Sequence, residues 1–171
     1  MKFMFSLAFF ALLIPFSAQS QAAAHATADT LVWYNDLGKA RQISDAKHIP
    51  IFAFFTGSDW CGWCHKLQAN VFAKPEFVSW AKKNVVLLEL DFPRRKQLPP
   101  EIAQQNMALQ QALKIAGYPT VWLMYVTPNE ENKGLNLVTL GSLGYPQGAE
   151  AGKEELKFLS DADAILAKGK K

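Results

Sequence analysis

The sequence predicts an α/β protein in which helices flank a central mixed β-sheet on both faces. Three observations lead there. Two apolar runs, Ile51 to Phe55 and Val85 to Asp91, alternate with segments of helical period. Two later runs, Val121 to Val126 and Leu135 to Leu140, are separated only by turn residues from Pro128 to Gly134 and read as a hairpin. The only two cysteines, Cys61 and Cys64, lie where the first apolar run passes into a helix.

Each element has its own signal. From Ala28 to His48 polar residues separate Trp33, Leu37 and Ala40, which places these three on one helical face; Pro50 stops that helix. Ile51 to Thr56 is apolar almost throughout, the character of a central strand covered on both sides. Gly57-Ser58-Asp59 is a turn, and the next helix is expected to begin at Asp59 or Trp60. Cys64, Leu67 and Val71 share its inner face. Pro75 breaks that helix or restarts a second segment through Trp80. Val85 to Asp91 is the second strand. Pro93-Arg94-Arg95-Lys96 and Pro99-Pro100 belong to a basic, proline-rich loop without periodicity. Ile102, Asn106, Leu109, Leu113 and Ala116 follow a helical period, and Gly117-Tyr118-Pro119-Thr120 turns into the third strand. Glu150 to Leu166 closes the chain as a helix with Leu156, Leu159 and Leu166 inward.

The chain has 171 residues, half of them apolar, enough for one domain with a real core. A net charge of +3, scattered along the sequence, does not argue for nucleic acid. Residues 1–24 read as a secretory signal peptide: Lys2, an apolar stretch from Phe3 to Ile14, then small residues ending in Ala22-Ala23-Ala24. The apolar stretch is shorter than the ~20 residues that span a bilayer. The expected mature domain, 25–171, is therefore exported. Two cysteines so close in sequence close too small a loop to stabilise an exported fold much, so their purpose is chemical. A strand that runs into C-x-x-C at a helix start sets the first sulfur among unpaired backbone N–H groups, at the positive end of the helix dipole. The second sulfur follows one turn later, within disulfide reach and further inside.

Trp60-Cys61-Gly62-Trp63-Cys64 after a strand and Tyr118-Pro119-Thr120 before one make the chain resemble the thioredoxin superfamily, over roughly Trp33 to Leu166. The lead-in Thr56-Gly57-Ser58-Asp59, the exit Leu90-Asp91-Phe92-Pro93 and the insertion from Pro93 to Gln105 look most like the DsbH-like group of periplasmic thioredoxin-like proteins; the chain is also similar to the thioredoxin-like domain of DsbD. The resemblance implies a thioredoxin fold with a cis-proline at Pro119 beside the cysteines. It implies a periplasmic thiol-disulfide oxidoreductase, a reductase of protein disulfides, without cofactor or metal. Its partners would be disulfide-containing exported proteins and a DsbD-like membrane reductant, and the protein would be a monomer. Oxidase or isomerase activity with the same cysteines is the alternative direction.

Within that resemblance Cys61 is the exposed nucleophile and Cys64 the resolving thiol. Trp60, Trp63, Tyr118 and Pro119 form the substrate-binding surface, with the backbone of Tyr118 pairing with an extended substrate segment. Uncharged Trp63 between the cysteines points to a potential nearer the reducing end than that of a strong oxidant such as DsbA. One position departs from the family. The buried acid expected six residues before the first cysteine is Phe55, which leaves Glu89 or Asp91 as proton-transfer candidates. Three rival readings use the same stretch. Cys61-x-x-Cys64-His65 matches a haem-attachment motif, with Met107 or Met124 as second axial ligand; Cys61, Cys64 and His65 could hold a metal; or the chain is a binding module whose thiols are incidental. The α/β pattern and Pro119 have no part in the haem reading, and no second cluster completes the metal site.

Overall fold

The computed structural model describes residues 30–131 and 134–169. The signal segment expected at 1–24 lies outside them. The described residues form a five-stranded sheet in the order β1-β3-β2-β4-β5. The strands are β1 (Trp33–Tyr34), β2 (Ile51–Thr56), β3 (Val86–Asp91), β4 (Thr120–Pro128) and β5 (Leu135–Leu143). The helices are α1 (Leu37–Lys47), α2 (Gly62–Leu67), α3 (Pro75–Asn84), α4 (Pro100–Ala112) and α5 (Glu154–Lys168). β1 and β2 run parallel to β3, while β4 is antiparallel to both β2 and β5. The sheet is mixed, and its last two strands are the expected hairpin.

Every residue of β2 is buried because both faces of the sheet are covered. Phe52 and Phe54 point into a cluster with Leu67 of α2, Phe77 of α3 and Phe158 of α5. Ile51, Ala53 and Phe55 point the other way, towards Leu37 and Ala40 of α1 and Leu109 of α4. The period-two alternation of the strand thus builds two cores from one apolar run. Both cysteines belong to the first core.

The first helix begins at Leu37, nine residues later than the pattern from Ala28 implied. The side chain of Asp36 accepts the N–H of Lys39 and caps the helix there. Trp33 instead lies in edge strand β1, opposite Leu87. Its ring packs 5.9 Å from Phe54 and 5.5 Å from Phe72. A single apolar residue every three or four positions could not distinguish a helix from a two-residue strand with a capped helix behind it.

The other helix boundaries are set by local causes, and Pro75 restarts the chain as a second helical segment as expected. α4 ends at Ala112, before Leu113 and Ala116, and Lys114 then takes a left-handed φ of 51°. Pro75 opens α3 at its first turn, where a missing N–H costs nothing. Between α2 and α3 the chain from Gln68 to Phe72 widens into a π-helical turn. On α5, Leu156 is half exposed rather than inward; Phe158 and Ala162 face the core, with Leu159 and Leu166 packed at its margin.

Candidate active site

β2 delivers the chain to Gly57, whose carbonyl accepts the N–H groups of Trp60 at 3.2 Å and Cys61 at 2.9 Å. This turn places Cys61, rather than Asp59 or Trp60, at the N-cap of α2. Only glycine fits at 57. A Cβ there would lie 2.3 Å from Cε2 of Trp60, so the indole folds back onto the bare backbone. Its Nε1–H donates to the carbonyl of Phe92 at 2.7 Å.

Cys61 and Cys64 are joined by a disulfide. The N–H of Cys64 points at Cys61 Sγ from 3.1 Å, and the N–H of His65 at the Cys61 carbonyl from 3.2 Å. The helix start therefore supplies a donor directly to the first sulfur. Cys64 is completely buried, whereas Cys61 keeps 5 % of its surface open. The order of exposure is as expected, but Cys61 is far more covered than the exposed nucleophile the sequence implied. It belongs to the core cluster, with Trp60, Tyr118 and Tyr145 packed along the cluster's edge.

The peptide bond between Tyr118 and Pro119 is cis, as the resemblance implied. The Tyr118 ring stands edge-on to Trp60 at 5.6 Å and lies 5.4 Å from Phe92. Start of α2, exit of β3 and approach to β4 are thereby joined by three rings. Gln110 donates to the Tyr118 hydroxyl, and burial, partly offset by that bond, raises the phenol's pKa. Trp63 is half exposed; the Tyr145 ring meets it at 5.1 Å, and Tyr145 is itself held by Asn70, which donates to its hydroxyl at 2.9 Å.

The two carboxylate candidates differ in their surroundings. Asp91 accepts the N–H of Ser58 at 2.8 Å and its hydroxyl at 2.6 Å, and it pairs with Lys96 at 3.0 Å. It acts as a clamp between the end of β3 and the turn before Cys61. Glu89 sits opposite Phe54 in the β2–β3 register, so it projects on the side of the sheet that carries the cysteines. Burial, and then the charge of Asp91, raise its pKa, against a smaller opposing effect of Lys96. Among the described residues neither carboxylate hydrogen-bonds to a cysteine.

The candidates for the rival readings are scattered. The Nε2–H of His65 donates to the Ser58 carbonyl at 2.9 Å. Met124 is fully buried in the core on the opposite face of the sheet from the cysteines, and Met107 is exposed on α4. Neither methionine is brought to His65.

Sequence reasoning missed Ser58, Asp59, Arg94 and Tyr145. Asp59 accepts the N–H of Arg94 at 3.0 Å and of Arg95 at 2.7 Å, which holds the basic loop against the turn before Cys61. The Arg94 N–H, with lesser help from the N–H and charge of Arg95, keeps the Asp59 carboxyl below its ordinary pKa against the opposing effect of desolvation. The guanidinium of Arg94 lies over Trp60, 4.0 Å from the ring centre. The run Arg94-Arg95-Lys96 was visible as a basic loop, but no local pattern announces a contact across 34 residues.

Comparison with known proteins agrees with this geometry. A family model for a thioredoxin-like domain matches residues 37–128. The chain is 30% identical over 146 residues to the thioredoxin-related protein DsbJ of Chlamydia pneumoniae, covering 85% of this chain and 40% of that protein. It is 38% identical over 92 residues to the disulfide bond reductase DsbH of the same organism, covering 54% of this chain and 55% of that protein. The chain thus spans less than two thirds of the length of either relative. Among solved structures, a DsbH oxidoreductase superposes with a TM-score of 0.65 at 27% identity over 95% of both chains. A thioredoxin from Thermus thermophilus superposes at 0.53 with 16% identity over 81% of this chain and 89% of that one, which speaks for the fold alone.

Proposed function

Since this chain belongs to the thioredoxin-like domain family, we propose that it is a thiol-disulfide oxidoreductase that reduces disulfides of exported proteins in the periplasm. The observation that carries this reading is the unequal setting of the linked sulfurs. Cys61 has a backbone donor and a remnant of open surface, while Cys64 is sealed beneath it.

In the reduced protein the N–H of Cys64 favours the thiolate of Cys61. That thiolate attacks one sulfur of a substrate disulfide. The substrate S–S bond breaks, its other sulfur leaves as a thiolate and takes a proton, and a Cys61–substrate bond forms. The Cys64 thiolate then attacks Cys61 Sγ, releases the second substrate sulfur, and closes the Cys61–Cys64 disulfide. Two electrons and two protons pass from protein to substrate. A dithiol donor, in this reading a DsbD-like membrane protein, returns the pair to the dithiol.

Trp60, Trp63, Tyr118 and Pro119 supply the contact surface, and the Tyr118 backbone pairs with the substrate strand. Glu89 is the better proton carrier of the two carboxylates, because Asp91 is already engaged by Ser58 and Lys96. Export rests on the sequence of residues 1–24. The test is reduction of a disulfide-bonded model protein by the dithiol-charged chain. Activity lost in Cys61→Ser supports the reading; full activity in that variant rules it out.

A further inference from the structure

Each tryptophan beside the cysteines carries a cation. Arg94 lies over Trp60 at 4.0 Å, and Lys66 Nζ lies over Trp63 at 4.4 Å. Both cations are exposed, and among the described residues neither is ion-paired. The two nearby carboxylates are otherwise engaged. Asp59 is occupied by the backbone N–H groups of Arg94 and Arg95, and Asp91 by Ser58 and Lys96. The Asp59 tether and the Trp60–Phe92 hydrogen bond fix the loop that carries Arg94, so this cation is presented in place rather than trailing in solvent.

From this arrangement we propose that Arg94 and Lys66 select disulfides whose flanking residues are acidic. The inference rests on the oxidoreductase reading above and adds a substrate class to it. A polypeptide approaching Cys61 meets apolar indole faces topped by two positive charges. Carboxylates near its cystine would pair with those charges in the encounter and in the mixed disulfide, whereas Lys or Arg there would be repelled. The cations act on binding and approach; the bonds made and broken are those already described.

The experiment measures single-turnover reduction, followed by tryptophan fluorescence, with dithiol-charged protein freed of reductant. Three matched disulfide-linked peptides differ only in flanking residues: acidic, neutral or basic. At low salt the acidic peptide should react about two- to fivefold faster than the neutral one per effective contact, and the basic peptide slower. The spread should shrink as salt rises. In Arg94→Gln/Lys66→Gln the acidic-to-basic rate ratio should collapse towards one, while a distant charge change, Lys39→Gln, should keep it. A variant that merely misfolds, or cations that only tune the Cys61 thiolate, would change all three rates together and leave the ratio standing, which would overturn the proposal. Equal wild-type rates on the three peptides would overturn it too. If wild-type protein reduces none of them, including the neutral one, the oxidoreductase reading itself falls and takes this inference with it.

Discussion

Trp60 lies against the bare α-carbon of Gly57, so closely that a methyl group at 57 would fall 2.3 Å from the indole. The indole in turn donates to Phe92, supports Arg94 and meets Tyr118. Gly57→Ala should displace the ring from this position. We expect a loss of about 1–3 kcal/mol in stability by urea unfolding and an altered near-ultraviolet circular dichroism spectrum. Unchanged values for both would mean the ring is not seated as described.

Asp91 joins the end of β3 to the turn before Cys61 through the N–H and the hydroxyl of Ser58. Asp91→Asn leaves a single acceptor oxygen for two donors and removes the ion pair with Lys96. The expected cost is about 1–3 kcal/mol, read by chemical denaturation, with slower single-turnover reduction because the turn loosens. A variant as stable and as fast as wild type would count against the clamp.

Glu89 gives a pH signature. Its folded-state pKa is raised by burial and by Asp91. The folded state therefore holds the proton more tightly than the unfolded chain, and stability from this group is present below the ordinary value of 4.5 and lost as pH rises through the folded value. Glu89→Gln should raise the melting temperature relative to wild type at neutral pH, with the gain vanishing below about pH 4. A gain that grows in acid would reverse the assigned sign. As the proposed proton carrier, Glu89→Gln should also slow Cys64-dependent release of substrate and flatten its pH profile.

The edge strand supplies a packing test. Trp33 reaches Phe52, Phe54 and Phe72 from β1. Trp33→Ala should cost about 3 kcal/mol, and the loss should appear as a shifted urea midpoint with retained disulfide chemistry in the folded fraction. A cost under half of that would mean the strand is peripheral to the core.

What the sequence disclosed follows from how local each signal is. β2 was legible because six consecutive buried residues are six apolar or small ones, and the cysteine pair because C-x-x-C at the passage from a strand into a helix is a local pattern. Cys64, Leu67 and Val71 kept their helical phase through the π-helical turn, since all three face one core. Trp33 was misread because two paired residues carry no period. Leu156 was misplaced because Phe158 and Ala162 follow an equally good register one step away. The partial closure of Cys61 and the seat of Arg94 on Trp60 arise from contacts between distant segments. Those contacts depend on Gly57 lacking a side chain and on Asp59 binding backbone rather than a cation, neither of which a pattern of residue types encodes.

The central claim is that Cys61 attacks and Cys64 resolves. The most direct measurement is intact-mass spectrometry of reduced Cys64→Ala and Cys61→Ala after mixing each with a neutral disulfide-linked peptide. The account predicts that Cys64→Ala accumulates one peptide as a stable mixed disulfide on Cys61, while Cys61→Ala, its remaining sulfur sealed in the core, acquires none. Peptide captured by Cys64 as readily as by Cys61, or by neither, would contradict it.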